Sequence, residues 1–152
     1  AAFLSRVDAI VMGSGTFRKV LEFDPWPYPI PVFVLSQSLQ DVPPGLQNQA
    51  QVVSGPLAEV IARLEAQGFR HLYIDGGRVI QSFLREDRID ELIVTRVPKL
   101  LGRGIPLFGD LDRILAFSHL ETDVMENGLV KSRYRRARPH GAPTVPSPGE
   151  RR

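Results

Sequence analysis

Short apolar runs that alternate with helical segments are the feature that most constrains how this chain can fold. Five strands are predicted where apolar, β-branched and aromatic residues lie between turn signals, at Asp8–Met12, Pro31–Leu35, Gln51–Val53, His71–Ile74 and Leu92–Val97. Helical segments lie between most of them. The alternation through residue 97 predicts an α/β fold whose sheet is largely parallel.

Three helices are predicted between these strands, over Thr16–Leu21, over Ser54–Gly68 and from Gly76 onward. In the second helix, Ser54 is predicted to cap the start, Pro56 to stand in the first turn and Gly68 to mark the end. Apolar residues at helical spacing predict the faces that pack on a sheet, namely Leu57, Val60, Ile61 and Leu64 in the second helix and Val79, Ile80, Phe83 and Leu84 in the third.

The last two predicted strands, Ile114–Asp123 and Leu129–Arg136, flank a turn at residues 126–128 and should pair antiparallel. They make the predicted sheet mixed. One domain is expected over residues 1–136, followed by a disordered, Pro- and Arg-rich tail over residues 137–152.

Charge and composition narrow the function classes. Residues 131–152 hold seven basic groups against one acid, whereas the first 130 hold 12 basic and 16 acidic groups. The basic pI therefore comes from the end of the last predicted strand and the tail, and this short charge run favours a solvated terminus over nucleic-acid binding. The chain has no cysteine, no apolar run of membrane-spanning length and no signal-peptide pattern at its start, so we expect a cytoplasmic protein without a membrane partner.

Candidate ligand-binding segments follow three of the predicted strands, and two of these segments contain glycine. In an open α/β sheet, ligands bind at the carboxyl ends of the strands, where glycine lets the backbone approach closely. Gly13-Ser14-Gly15-Thr16 and Gly76-Gly77 each end a strand and open a helix, and Leu35-Ser36 ends the second strand. A phosphate-bearing ligand and a plain tight turn both account for such glycines. Neither the Rossmann fingerprint nor the P-loop pattern is present.

Other polar residues give weaker signals. Asp75 is either a site carboxylate or the cap of the helix that starts at Gly76. The three histidines lack metal-ligand spacing, so no metal site is predicted. Trp26 and Tyr28 lie among prolines, where such aromatics cover a ligand or anchor a loop.

The order and spacing of six sequence motifs indicate a protein family more specifically than any single motif does. They are Val11-Met12-Gly13-x-Gly15-Thr16-Phe17, Trp26-Pro27-Tyr28, Val32-Phe-Val-Leu-Ser36, Tyr73-Ile-Asp-Gly-Gly77, Ile89-Asp-Glu-Leu-Ile-Val-Thr-Arg-Val-Pro98 and Leu100-Leu-Gly-Arg-Gly-Ile-Pro-Leu-Phe108. Over residues 1–136 the chain resembles the dihydrofolate-reductase-like family that includes the RibD C-terminal domain, most closely its small stand-alone bacterial members. The pyrimidine reductase domain of riboflavin synthesis is a close relative.

The resemblance implies a three-layer α/β/α fold and an NADPH-dependent reductase acting on a pterin-, pyrimidine- or flavin-like heterocycle, as dihydrofolate reductase or 5-amino-6-(5-phosphoribosylamino)uracil reductase does. A non-catalytic, dimeric nucleotide-binding scaffold is the alternative. A homodimer is implied, and so is a cis Gly76–Gly77 peptide bond. The residues implied to bind the cofactor are Gly13, Ser14, Gly15, Thr16, Leu35, Ser36, Gly76, Gly77, Arg78, Val79 and Ile80, and those implied to face the substrate are Asp75 and Thr95.

The chain departs from the family pattern in two ways. Ser14-Gly15 stands where relatives usually carry basic residues, as in Gly-Arg-Lys-Thr, so cations that could hold a 2′-phosphate are absent there and Arg18 is the nearest substitute. The family's first strand and its Ser-Leu-Asp-Gly loop are also not found. We expect either a fragment of a longer protein or another segment or chain in that place, because an unpaired central strand position is costly.

Overall fold

The computed structural model describes residues 4–138, which form two compact units. The first unit includes the described residues up to Glu86 together with Pro106–Asp110, and the second includes Asp87–Ile105 and the residues from Leu111 onward. A short 3-10 turn over Leu4–Arg6 precedes the first strand. Most of the predicted tail, residues 139–152, lies outside the described part of the chain, so its disorder stays a prediction.

Four parallel strands form the sheet of the first unit. They are β1 (Ala9–Gly13), β2 (Val32–Leu35), β3 (Ala50–Val53) and β4 (Leu72–Asp75), in the spatial order β3-β2-β1-β4. Each lies within one residue of its predicted position. Because neighbouring strands are parallel and in register, all four end at one edge of the sheet.

Three helices connect these strands: α1 (Ser14–Val20), α2 (Leu57–Ala66) and α3 (Gly77–Arg85). The apolar stripe of α2 is buried as predicted. The predicted Ser54 cap is wrong, because Gly55, at φ +118°, turns the chain there and places Pro56 at the N-cap position. Gly68, at φ +93°, lies just beyond the end of α2, as its conformational freedom predicted.

Helices and loops cover both faces of the parallel sheet. Ile10 and Met12 of β1 belong to a buried cluster with Phe17 and Val20 of α1. On the opposite face, Phe33 of β2 meets the ring of Phe69, which follows α2, at 5.1 Å between centroids. Four of the five β1 residues are fully buried, which explains why this strand reads as one continuous apolar run.

The second unit holds an antiparallel sheet of β5 (Glu91–Arg96), β6 (Phe117–Val124) and β7 (Val130–Arg136), in the order β5-β7-β6. The α/β class is confirmed, but the prediction of one mixed sheet is corrected to a parallel sheet and an antiparallel one. β5 pairs antiparallel with β7 rather than joining the parallel strands, because alternation along the chain does not specify the partner of a strand. β4 and β5 are both edge strands of their sheets.

A bidentate ion pair ties β7 to the segment before β5. The guanidinium of Arg136 donates to both carboxylate oxygens of Asp87, at 2.7 and 3.0 Å, and to the carbonyl oxygen of Ala116 at 2.9 Å. The Arg136 side chain is 8% exposed and that of Asp87 24%. Hydrogen bonds from Arg136 are the main reason that the pKa of Asp87 lies below its usual value.

We expect Arg136→Gln to lower the free energy of unfolding by about 2 kcal/mol, because it leaves a partly buried carboxylate without its charged partner. Arg135→Gln is the control, since Arg135 is exposed on the same strand. A carboxylate with a depressed pKa stabilises the fold above its unfolded-state pKa, near 4, and the contribution is lost as the pH falls through the folded pKa. Urea unfolding of both variants should therefore differ at pH 7 and converge in acid; equal stability at pH 7 would contradict the assignment.

Candidate functional site

The carboxyl ends of the parallel strands bring the predicted cofactor segments to one edge of the first unit. Gly13, the last residue of β1, is in register with Leu35 of β2, and Met12 beside it is in register with Asp75 of β4. The segments that follow these residues are Gly13–Thr16, Leu35–Ser36 and Gly76–Ile80. Residues that are distant in the sequence are thereby placed along a single sheet edge, as the α/β prediction required.

Two of these segments pack against each other with glycines at the contact. A β-carbon added at Gly76 would lie 2.5 Å from Thr16 Oγ1, and one added at Gly13 would lie 3.1 Å from a methyl group of Val79. Gly76 also has φ +96°, a conformation that side-chain-bearing residues rarely adopt. Residue 76 must therefore be glycine, both because Thr16 lies close to it and because its φ is positive. The Gly76–Gly77 peptide bond itself is trans, which corrects the implied cis bond.

Helices α1 and α3 both begin at this contact. Their N-cap residues are Gly13 and Gly76, and no side-chain cap hydrogen bond is made at either position. The interpretation of Asp75 as a helix cap is therefore wrong, since Gly76 takes that position. Uncapped amide groups in the first turn of a helix are hydrogen-bond donors for an anion.

An open cleft of about 250 Å³ lies beside this edge. Predicted residues Leu35 and Ser36 form part of its wall, and the residues that complete it are Gln37, Ser54, Gly55, Leu57, Ser82 and Glu86. Sequence reasoning missed these because they come from separate segments: the residue after Ser36, the β3–α2 connection, the start of α2 and the C-terminal end of α3. Ser82 of α3 and its C-cap residue Glu86, four residues apart, were the available signal. We refer to this as the serine cleft.

Asp75 ends β4 next to two tyrosines. Burial, followed by the nearby Asp75 carboxylate, raises the pKa of Tyr28 and of Tyr73 above the usual value. Tyr73 and Asp75 are two residues apart on β4, so their side chains point to the same face of the sheet. Trp26 packs edge-on against the rings of Phe17 and Tyr28, which favours the loop-anchor interpretation over a ligand cover.

Thr95, the other residue implied to face the substrate, is exposed on β5 of the second unit, opposite Lys131 of β7. Arg78, at the start of α3, is exposed, whereas Val79 is buried and Ile80 half-buried.

Within residues 4–138 no three His, Asp or Glu side chains are grouped as metal ligands. None of the helices in that range has the length and apolar character needed to cross a membrane.

Comparison with known proteins decides the family. The profile of the RibD C-terminal domain matches residues 2–131. The chain belongs to the RibD C-terminal domain family. Membership in this family supports a reductase-type function, and it confirms the family that the ordered motifs predicted.

Solved structures of this family have the same fold. A candidate riboflavin biosynthesis protein from Shewanella sp. PV-4 is 48% identical, with a TM-score of 0.86 over 90% of this chain and 78% of that one. The diaminohydroxyphosphoribosylaminopyrimidine deaminase/5-amino-6-(5-phosphoribosylamino)uracil reductase of Thermotoga maritima is 14% identical, with a TM-score of 0.67 over 90% of this chain and 47% of that one. The second likeness shows the fold alone.

Among curated proteins, the uncharacterised protein YwjB of Bacillus subtilis (strain 168) is 32% identical over 113 residues, which are 72% of this chain. The chain spans 63% of the length of that relative.

Proposed function

We propose that the protein is an NADPH-dependent reductase that transfers a hydride to a pterin-, pyrimidine- or flavin-like heterocycle. The observation that carries the proposal is the contact of Gly76 with Thr16, which joins the starts of α1 and α3 at the carboxyl edge of the sheet. The candidate riboflavin biosynthesis protein of Shewanella, at 48% identity, supports a substrate of the pyrimidine or flavin type.

The residues at this edge fit a dinucleotide. Gly13, Ser14, Gly15 and Thr16 would hold the pyrophosphate through backbone amides and hydroxyls, together with the first amides of α3. Those amides belong to Gly77, Arg78 and Val79, whereas the Ile80 amide donates to the Gly76 carbonyl oxygen at 2.9 Å. A β-carbon at residue 76 would fill the space between the two segments, so this cradle depends on glycine. Leu35 and Ser36, in the wall of the serine cleft, would hold the adenosine end.

The bound cofactor would supply the hydride, and the chain's own residues would orient the two rings, exclude water and deliver a proton. Reduction of a C=N bond places the hydride on carbon and requires one proton on nitrogen. Asp75 is the proposed source, directly or through a water that it holds. Asp75 immediately precedes Gly76, so a carboxylate at this position would lie beside the cofactor cradle.

Direct binding is the test of this proposal. NADPH is expected to bind the purified protein saturably in calorimetry and to quench the fluorescence of Trp26, the single tryptophan of the chain. Oxidation of NADPH should then appear with at least one member of a panel of pterins, pyrimidinones and flavins. Absence of saturable binding of any nicotinamide nucleotide would refute the function.

A non-catalytic nucleotide-binding scaffold is the second proposal, and the replacement of the usual basic residues by Ser14-Gly15 favours it. Binding of NADPH without its oxidation across the same panel would decide for the scaffold. The homodimer and the cytoplasmic location stay predictions. Sedimentation of the purified protein at several concentrations tests the first of them.

A further inference from the structure

A tyrosine in the connection between α1 and β2 lies on the same face of the parallel sheet as Asp75. This residue, Tyr28, packs against the buried cluster that includes Ile10 and Met12 of β1, and so does Tyr73 of β4. Ile10 is in register with Tyr73, and Met12 is in register with Asp75. Because residues paired between neighbouring strands point to the same face of a sheet, Tyr28 covers the face to which the Asp75 side chain points.

The chain holds Tyr28 in a fixed position. Pro27 and Pro29 flank it, and a proline restricts both its own φ and the backbone of the residue before it. The Tyr28 ring packs edge-on against Trp26 at 5.6 Å between centroids, and Trp26 packs in turn against Phe17 of α1 at 6.2 Å. A side chain held in this way has little conformational freedom left to lose, so a hydrogen bond from it to a ligand costs little entropy.

The hydroxyl group of Tyr28 is a donor that a ligand can use. Within residues 4–138 it makes no hydrogen bond to another residue, and the side chain is only half-buried. Burial, followed by the charge of Asp75, raises the pKa of this phenol above its usual value. The hydroxyl group therefore keeps its proton at neutral pH, and with the proton it keeps the ability to donate a hydrogen bond.

A ring placed beside Asp75 for reduction would also lie beside this donor. A carbonyl oxygen is the exocyclic acceptor that pterins, pyrimidinones and flavins share, and a site with a fixed donor rejects analogues that lack the matching acceptor. We propose that the Tyr28 hydroxyl group donates a hydrogen bond to a ring carbonyl oxygen of the substrate and makes this protein select oxo-substituted heterocycles. The inference rests on the proposed function and adds to it the group that the substrate must carry.

The test is a cycle of two proteins and two ligands, measured by calorimetry with saturating NADP⁺, which has no hydride to donate. The ligand 2-aminoquinazolin-4-one carries a ring carbonyl group, and 2-aminoquinazoline lacks it. Tyr28→Phe keeps the ring and removes the hydroxyl group, so it is expected to weaken the carbonyl ligand about tenfold and the other ligand less than about twofold. Tyr134→Phe, which removes the same group from β7 of the second unit, is the matched control and should change neither affinity.

Several outcomes would overturn the inference. Equal losses for the two ligands in Tyr28→Phe would make this tyrosine a packing residue, and an unchanged affinity for the carbonyl ligand would exclude the hydrogen bond. A wild type that binds NADPH but binds both quinazolines equally, or neither of them, refutes this inference alone. A wild type that binds no nicotinamide nucleotide refutes the proposed function and this inference with it.

Discussion

Gly76→Ala is expected to abolish measurable NADPH binding and to lower the free energy of unfolding by about 2–4 kcal/mol. The new β-carbon would stand 2.5 Å from Thr16 Oγ1, closer than any real contact allows, and residue 76 has φ +96°. Strain of the backbone contributes about 1–3 kcal/mol, and crowding of a packed contact contributes a similar amount. The starts of α1 and α3 would be forced apart, and the proposed pyrophosphate site would open.

A double variant separates the two causes. Thr16→Ala removes the hydroxyl that the new β-carbon would meet, so Gly76→Ala/Thr16→Ala should recover the crowding part of the stability and leave the backbone strain. Gly77→Ala is the matched control, because a β-carbon there meets no atom within 4 Å. Urea unfolding and calorimetry with NADPH measure both effects. Wild-type affinity in Gly76→Ala would contradict the proposed site.

Asp75→Asn is expected to lower kcat about 10²–10³-fold while the affinity for NADPH changes less than about twofold. Asparagine keeps the size of the side chain and removes the group that would deliver the proton, and general acid–base groups typically contribute about this much to a rate. The change lies one residue before the cradle and leaves Gly76 in place. The experiment requires a substrate from the panel that supports turnover by the wild type.

The separate effects on kcat and KM distinguish proton delivery from a structural role. If Asp75 delivers the proton, Asp75→Asn should lower kcat and leave KM and the free energy of unfolding near their wild-type values. Glu65→Gln, on an exposed position of α2, is the control and should retain the wild-type rate and stability. Full turnover in Asp75→Asn, or an affinity for NADPH that falls as much as kcat, would reject Asp75 as the proton source.

Local patterns predicted the elements of the first unit closely. The apolar run Ile10–Met12 is typical of a strand covered on both faces, and the spacing of Val60, Ile61 and Leu64 is typical of a helix with one buried side. The end of α2 at Gly68 was predictable because a positive φ favours glycine. The order of the motifs also predicted the family.

The N-cap residues of α2 and α3 and the lining of the serine cleft were not predictable from local sequence patterns. Ser54 and Asp75 have side chains that commonly cap helices, yet the N-cap residues are Pro56 and Gly76. Glycines with positive φ, Gly55 and Gly76, turn the backbone just before each helix begins. The serine cleft combines residues from β2, the β3–α2 connection and α3. Its members are close only because parallel strands bring those elements to one edge.

By itself the sequence determined which segments are strands and helices, which faces they bury and where glycine is required, because these depend on interactions between near neighbours. Tertiary structure alone decided that β5 pairs with β7 in an antiparallel sheet, that Gly76 meets Thr16 and that Ser54 and Ser82 line one cleft. Those pairings join residues distant in sequence. They depend on how the elements pack, and no local pattern records that packing.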